Sequence, residues 1–287
     1  MATVNIEGVT LHLAHPDTLN LVCVGQEEVV RQILAAWILV DERDLPLHPR
    51  LVGKPGVGKT TLAYAAAQRL SREVYIFQAT VDTRPEDLLV TPVISEEGRI
   101  KYMASPIVTA MIRGGVAIID EANRMSEKSW ASLAPLLDSR RYVESIVAGI
   151  KIKAHPDFRL CVTMNEDAST FDLPEYIDSR LKPIIYVDFP EAEEEKEILR
   201  ANLPFAEEEL LNYLVTFLQA AHRQGEPYSV RDGVNIGRYA LKRLRSSPEE
   251  RTLKEALKEA VVAVLGPEAL NYFPEEERPQ PFRLRPV

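Results

Sequence analysis

At 287 residues the chain is long enough for one large domain and a smaller one, and 46% hydrophobic with 27% charged residues is the balance of an ordinary soluble globular protein. A net charge of −9 and a pI near 5.3 argue against a general nucleic-acid or membrane-surface binder, while leaving room for a local basic groove. Two cysteines, Cys23 and Cys161, sit in apolar runs and read as core residues; with no apolar run near 18 residues and no basic-then-apolar start, neither secretion nor membrane spanning is expected, and a reducing cytoplasm suits the chain.

Residues 2–13 alternate through Val4, Ile6, Val9, Leu11 and Leu13 and predict an edge strand or hairpin. Residues 26–41 predict a helix with Val29, Val30, Ile33, Leu34, Trp37 and Ile38 on one face. Leu51 and Val52 end a short strand, and the Ala-rich run from Thr61 to Leu70 is a strong helix former. Residues 74–79 then read as a buried strand, residues 92–102 as a hairpin turning at Glu97-Gly98, and Ser105-Pro106 as the start of a helix that stops at Gly114-Gly115. Val116 to Ile119 is the next buried strand. Ser126 caps a helix that Pro135 shortens, and a hairpin over 142–154 follows. Residues 158–163 and 184–187 are further strands, with a short helix over 174–181 between them. Strands alternating with helices predict an α/β domain whose parallel sheet is sandwiched by helices.

After Pro190 the chain reads as helices only, over 191–201, 206–223, 230–245 and 251–264. The expected organisation is a nucleotide-binding domain over 1–190, a small all-helical lid over 191–270 and a proline-rich tail over 271–287, with Pro274, Pro279, Pro281 and Pro286. The acidic run Glu193-Glu194-Glu195 reads as a solvated helix face, and so does the basic group Arg238, Lys242, Arg243 and Arg245.

Two motifs carry chemistry. Gly53-Lys54-Pro55-Gly56-Val57-Gly58-Lys59-Thr60 fits the pattern of Gly, four residues, then Gly-Lys-Ser/Thr, between a strand and a helix as that motif requires. Glycines there let backbone N–H groups turn inward around phosphate oxygens, and the helix N-terminus adds positive potential. Pro55, Gly56, Val57, Gly58, Lys59, Thr60 and Thr61 are therefore the predicted cradle: Lys59 reaches the terminal phosphates and the Thr60 hydroxyl ligates Mg²⁺. The second motif is Asp120-Glu121 at a strand's carboxyl end, where ligands gather in open α/β sheets. Asp120 is the candidate second metal ligand and Glu121 the candidate to polarise an attacking water.

The glycine loop, Ile118-Ile119-Asp120-Glu121-Ala122-Asn123-Arg124 and Phe158-Arg159-Leu160-Cys161-Val162-Thr163-Met164-Asn165 together resemble the MoxR-like branch of AAA+ ATPases, which includes the CbbQ/NorQ type, over about residues 22–245. The resemblance implies that Asn165 is the sensor asparagine near the γ-phosphate. It implies that Arg180 is an arginine finger reaching the nucleotide of a neighbouring subunit, and that Arg231 is a second sensor on a lid helix. Val24 and Gly25 match the segment that packs on adenine, which makes ATP the expected nucleotide, and Arg124 is a second candidate for an inter-subunit contact. Hairpins 91–104 and 142–154 match insertions that handle a client, with Lys101 and Tyr102 as weaker client-facing candidates; the family's Asp-Leu-x-Gly signature stands here as Asp87-Leu88-Leu89-Val90, without the glycine. The implied protein is an ATP hydrolase assembled as a homo-oligomeric ring, expected to be hexameric. It would act as a chaperone that remodels a partner, with a von Willebrand factor A domain protein among the expected partners. A nucleic-acid-linked motor or restriction-associated NTPase is the rival reading, against which the acidic charge weighs.

Overall fold

In a computed structural model of the chain, residues 2–19, 24–166, 172–246 and 252–274 are described. The core expected at Cys23 and the prolines at 279, 281 and 286 lie outside them. The first unit, residues 1–188, begins with β1 (Thr3–Ile6) and β2 (Val9–His12), a hairpin turning on Glu7 and Gly8, both at positive φ. Helix α1 (Glu27–Trp37) leads to β3 (Arg50–Gly53), α2 (Lys59–Arg69) and β4 (Val74–Gln78). A short helix α3 (Pro85–Leu88), strands β5 (Val90–Ile94) and β6 (Ile100–Ala104), helix α4 (Pro106–Arg113) and β7 (Val116–Asp120) follow. Then come a 3₁₀ turn (Ala122–Arg124), α5 (Glu127–Leu133), the hairpin β8 (Tyr142–Ser145) and β9 (Ile150–Lys153), β10 (Arg159–Asn165), α6 (Glu175–Asp178) and β11 (Ile184–Tyr186).

The central sheet has the order β11-β3-β10-β7-β4, and each neighbouring pair is parallel. Val116, Ala117, Ile118 and Ile119 of β7 are all fully buried, the mark of a strand covered on both faces. Helices α1, α2 and α4 pack around the sheet, and Ala63, Ala66 and Ala67 let α2 approach closely. Trp37 is core, as expected, and its Nε1 donates to the Leu160 carbonyl at 3.1 Å. Cys161 is buried too, and burial pushes its thiol pKa up.

Three expectations change. Helix α1 stops at Trp37 rather than continuing to Asp41, because Ile38 turns extended; Ile38 is 62% exposed instead of facing the core. The carboxylates of Asp41 and Asp44 accept the main-chain N–H groups of Arg43 and Val40, local bonds that compete with helix continuation. The inserted hairpin of β5 and β6, turning on Gly98 at φ 74°, does not stand alone: β2 pairs parallel to β6, Leu11 opposite Tyr102, in a second sheet of order β1-β2-β6-β5. The third change lies in the second unit.

That unit, residues 189–287, contains α7 (Ala192–Asn202), α8 (Glu208–Arg223), α9 (Val230–Ser246), α10 (Leu253–Leu265) and a 3₁₀ turn (Pro267–Tyr272). A Cβ at Gly233 or Gly237 would stand 2.7 Å from a leucine methyl of Leu218 or Leu203, so α9 packs at glycine distance against α7 and α8. Thr252 and Glu255 form a capping box that starts α10. Glu195 does not solvate a helix face: it is fully buried between helices, receives one hydrogen bond from Gln219 Nε2 at 3.0 Å, and burial pushes its carboxyl up to about 7.

Candidate nucleotide site

Strand β3 delivers the glycine loop to the carboxyl end of the sheet. Gly56 and Gly58 hold φ values of 81° and 96°, which side-chain-bearing residues rarely adopt. Gly53 is required for a different reason: a Cβ there would lie 2.1 Å from the Val187 carbonyl oxygen, where the chain leaving β11 crosses the end of β3. Pro55 is exposed and Val57 buried, so the loop is anchored in the core beside an open rim. Lys59, only 6% exposed, donates to the carbonyls of Gly53 and Lys54 at 2.8 Å each. The ammonium is therefore held across the mouth of the loop by the backbone that would surround a phosphate. Thr61 follows on the first turn of α2, partly buried.

Asp120 ends β7 beside this loop. Its Oδ1 accepts from the Thr60 hydroxyl at 2.7 Å and from the Thr163 hydroxyl on β10. A hydroxyl and a carboxylate brought together in this way form the hard oxygen donor set that suits Mg²⁺. Glu121 adopts φ 53°, its main-chain N–H donating to Thr163 Oγ1 at 3.1 Å, and its Oε1 accepts from Asn165 Nδ2 at 3.3 Å. Asn165, the last residue of β10, is 9% exposed. Arg124 Nε lies 2.7 Å from Glu121 Oε2, which places Arg124 against a carboxylate of its own chain.

The structure thus brings Lys59, Thr60, Asp120, Glu121 and Asn165 together at one end of the sheet. Val24 and Gly25 immediately precede α1, which packs on the helix that starts at the loop. Arg180 follows α6, where it donates to the Tyr176 carbonyl and lies 3.7 Å from Asp138; Arg140 beside Asp138 holds that carboxyl down at about 2. Neighbouring Asp178 pairs with Arg50 at 2.8 Å, at the start of β3, and this ties α6 to the opposite end of that strand from the loop. Arg231 is exposed on the first turn of α9 in the second unit.

Two residues of this network escaped the sequence reading. Thr163 bridges Asp120 and the Glu121 main chain, and the signal was available: after Arg159 at its start, the apolar strand has polar residues only at Thr163 and Asn165, two apart at its carboxyl end and hence on one face. Asn123, buried, donates from Nδ2 to the Asn165 carbonyl at 2.9 Å; nothing in its spacing distinguishes it from a turn former.

Comparison with known proteins bears on the fold that carries this site. The profile of the AAA domain, dynein-related subfamily, matches residues 50–181, from β3 to just beyond Arg180. An uncharacterised protein of Staphylococcus epidermidis is 28% identical over 184 residues, covering 61% of this chain and 70% of its own. One from Staphylococcus aureus is 27% identical over 191 residues, covering 64% and 72%. Among solved structures, the Thermotoga maritima RuvB Holliday junction branch migration motor superposes with a TM-score of 0.57 at 20% identity, over 84% of this chain and 70% of that one. Residues 50–181 thus match the AAA domain profile, and the chain has the AAA+ fold of a P-loop parallel sheet flanked by helices and followed by a helical region.

Proposed function

We propose that this chain hydrolyses ATP and works as a ring, using the cycle to remodel a partner protein in the manner of MoxR-like chaperones. The observation that carries the reading is the joint held by Asp120, where the Thr60 hydroxyl of the phosphate loop and the Thr163 hydroxyl of β10 meet beside Glu121 and Asn165. Backbone N–H groups of residues 55–61 would take the phosphates, and Lys59 would leave the Gly53 and Lys54 carbonyls for the terminal phosphate oxygens. Thr60 and Asp120 would hold Mg²⁺, whose charge offsets what develops on the phosphate oxygens. Glu121 accepts a proton from a water positioned with help from Asn165; the water oxygen bonds to the γ-phosphorus as the bond to the β,γ-bridging oxygen breaks, releasing ADP and phosphate.

The placement of Arg180 supports assembly. Through Asp178 and Arg50 its helix is fixed at the start of β3, and about 10 Å of strand separates that point from the loop. An arginine there suits the nucleotide of a neighbouring copy, as in a hexameric ring, better than its own. A partner with a von Willebrand factor A domain and a cytoplasmic setting complete the reading. Among the described residues no helix is long and apolar enough to cross a membrane. The test is Arg180→Ala. Turnover should fall about 10³-fold or more while ATP affinity stays within twofold, and adding an equimolar Glu121→Gln chain, which keeps Arg180, should restore part of the rate in mixed rings. Turnover at the native rate in the Arg180→Ala chain removes the shared site.

A further inference from the structure

The hairpin of β8 and β9 uses one edge of β8 and leaves the other open. Ala154 N–H donates to the Arg141 carbonyl at 2.8 Å, and in the same register Val143 stands opposite Ile152 and Ser145 opposite Ile150. Bonding and non-bonding pairs alternate in an antiparallel ladder, so Tyr142 and Glu144 turn their main-chain groups away from β9. Tyr142 N–H finds the Pro135 carbonyl just beyond α5, 3.3 Å away, whereas the N–H and C=O of Glu144 meet no partner among the described residues. They border a groove of about 430 Å³, within the size range of ligand-holding clefts. Leu89, Pro135 and Val147 give it apolar walls, and Ile146 lines it while 93% exposed. Its charged lining is acidic, Glu86 and Glu144, and neither forms an ion pair among the described residues. Lys151, opposite Glu144 on β9, sits instead over the Tyr142 ring at 4.5 Å.

We infer that this groove docks an extended segment of a partner protein, added as a strand along the outer edge of β8, in which a basic residue is flanked on each side by apolar ones. β9 shows the pattern that β8 accepts on its other edge. Ile150 and Ile152 are buried, Lys151 and Lys153 face outward, and Lys151 is the residue opposite Glu144. A strand on the open edge meets the same alternation, because the side chains of neighbouring strands share their faces. Its residue opposite Glu144 lies on the outward face, where Glu144, with Glu86 of α3 on the same groove, favours lysine or arginine. The residues before and after it point to the inward side, that of Val143 and Leu89, where their apolar surface leaves water. Selection thus lies in the edge of β8 and the floor of the groove, not in the exposed tip of the hairpin. For its role in the protein the inference rests on the proposed remodelling of a partner, but not on the hydrolysis chemistry.

The probe is a fluorescein-labelled peptide, Ser-Val-Lys-Val-Ser, followed by anisotropy without nucleotide at about 0.15 M salt, where distant surface charge is screened. Two altered probes separate the contributions. A probe with glutamate in place of lysine should bind about tenfold more weakly, and so should one N-methylated at the lysine, which keeps every side chain but cannot donate to the Glu144 carbonyl. The Glu144→Lys chain should reverse the preference between the lysine and glutamate probes. Ala131→Trp, from an exposed position of α5 that lines the groove, should fill it and lower affinity about tenfold or more, with basal ATP turnover and melting temperature unchanged. An N-methylated probe that binds as well as its parent overturns the strand addition, and native affinity in Ala131→Trp overturns the groove. So does the absence of parent-probe binding up to about 1 mM. ATP turnover without probe binding removes the groove alone, whereas probe binding by these rules in a chain that turns over no ATP supports the groove and removes only the hydrolase reading.

Discussion

The two ends of the central sheet carry polar residues of similar burial and put them to opposite uses. At the carboxyl end, the acidic pair is held by side chains, Thr60 and Thr163 on Asp120 and Asn165 and Arg124 on Glu121, while Lys59 and Asn123 bond to main chain. At the amino end Arg50 pairs with Asp178, but Arg159 and Arg141 bond to main chain. Arg159, 4% exposed at the start of β10, donates from Nε to the Trp37 carbonyl at 2.9 Å and from Nη1 to the carbonyls of Pro156 and Phe158 at 2.9 and 3.0 Å. Arg141 donates to the carbonyls of His155 and Phe158. Side-chain pairs can exchange partners when a ligand arrives, whereas bonds to carbonyls at element ends hold those ends in place. One end of the sheet is a site, and the other is a clasp.

The sharpest way to test that division is to remove one group from each end. Glu121→Gln keeps the shape of the carboxyl-end network but removes the proton acceptor. It should lower kcat by about 10²–10⁴-fold and leave the melting temperature within a degree or two, as read by phosphate release and thermal unfolding. Arg159→Met should do the reverse. It removes the side-chain donor from the carbonyls of Trp37 and Pro156, leaves that of Phe158 to Arg141 alone, and should cost about 2–4 kcal/mol of stability, seen as a lower denaturant midpoint. The ATP Kd of the folded fraction should not move. A loss of nucleotide affinity in Arg159→Met would mean that the amino end is coupled to the site, and the comparison would fail.

Sequence reasoning saw the two ends unequally, and for a physical reason. The carboxyl end is encoded locally: Gly53 to Thr60 is one continuous motif, and Asp120-Glu121 follows an apolar run that can only be a buried strand. The clasp is non-local. Arg159 serves a carbonyl at Trp37, 122 positions away, and no spacing announces it. The same limit hid the pairing of β2 with β6, where Leu11 meets Tyr102, although each hairpin was readable from its own turn. Glu195 failed differently. Its neighbours Glu193 and Glu194 made it look solvated, yet it shares the inward face of α7 with Leu199, four residues on, and its partner Gln219 lies on another helix.

The smallest expected effect comes from His48, two residues before β3 and 5% exposed, whose Nδ1 has no hydrogen-bond partner. Burial, followed by the charges of Arg141 and Arg159, lowers its pKa from 6.5 to about 4. The unfolded chain then binds a proton that the folded chain refuses, so this contribution to stability is full above pH 6.5 and is lost as pH falls toward 4. Between pH 6.5 and 5 the loss should be about 1.5 kcal/mol. Glu195, raised to about 7, works the other way: its contribution is present below its ordinary pKa and lost as pH rises through 7. Glu195 is present in both the native chain and His48→Gln, so the difference between the two, followed by fluorescence of Trp37 and Trp130 during urea unfolding, reads His48. In His48→Gln the first unit should be less stable at pH 7, because the new amide is buried, but its loss between pH 6.5 and 5 should shrink by that same increment. An unaltered slope would mean that the clasp tolerates a proton beside its two arginines, and that the amino end of the sheet is as adaptable as the carboxyl end.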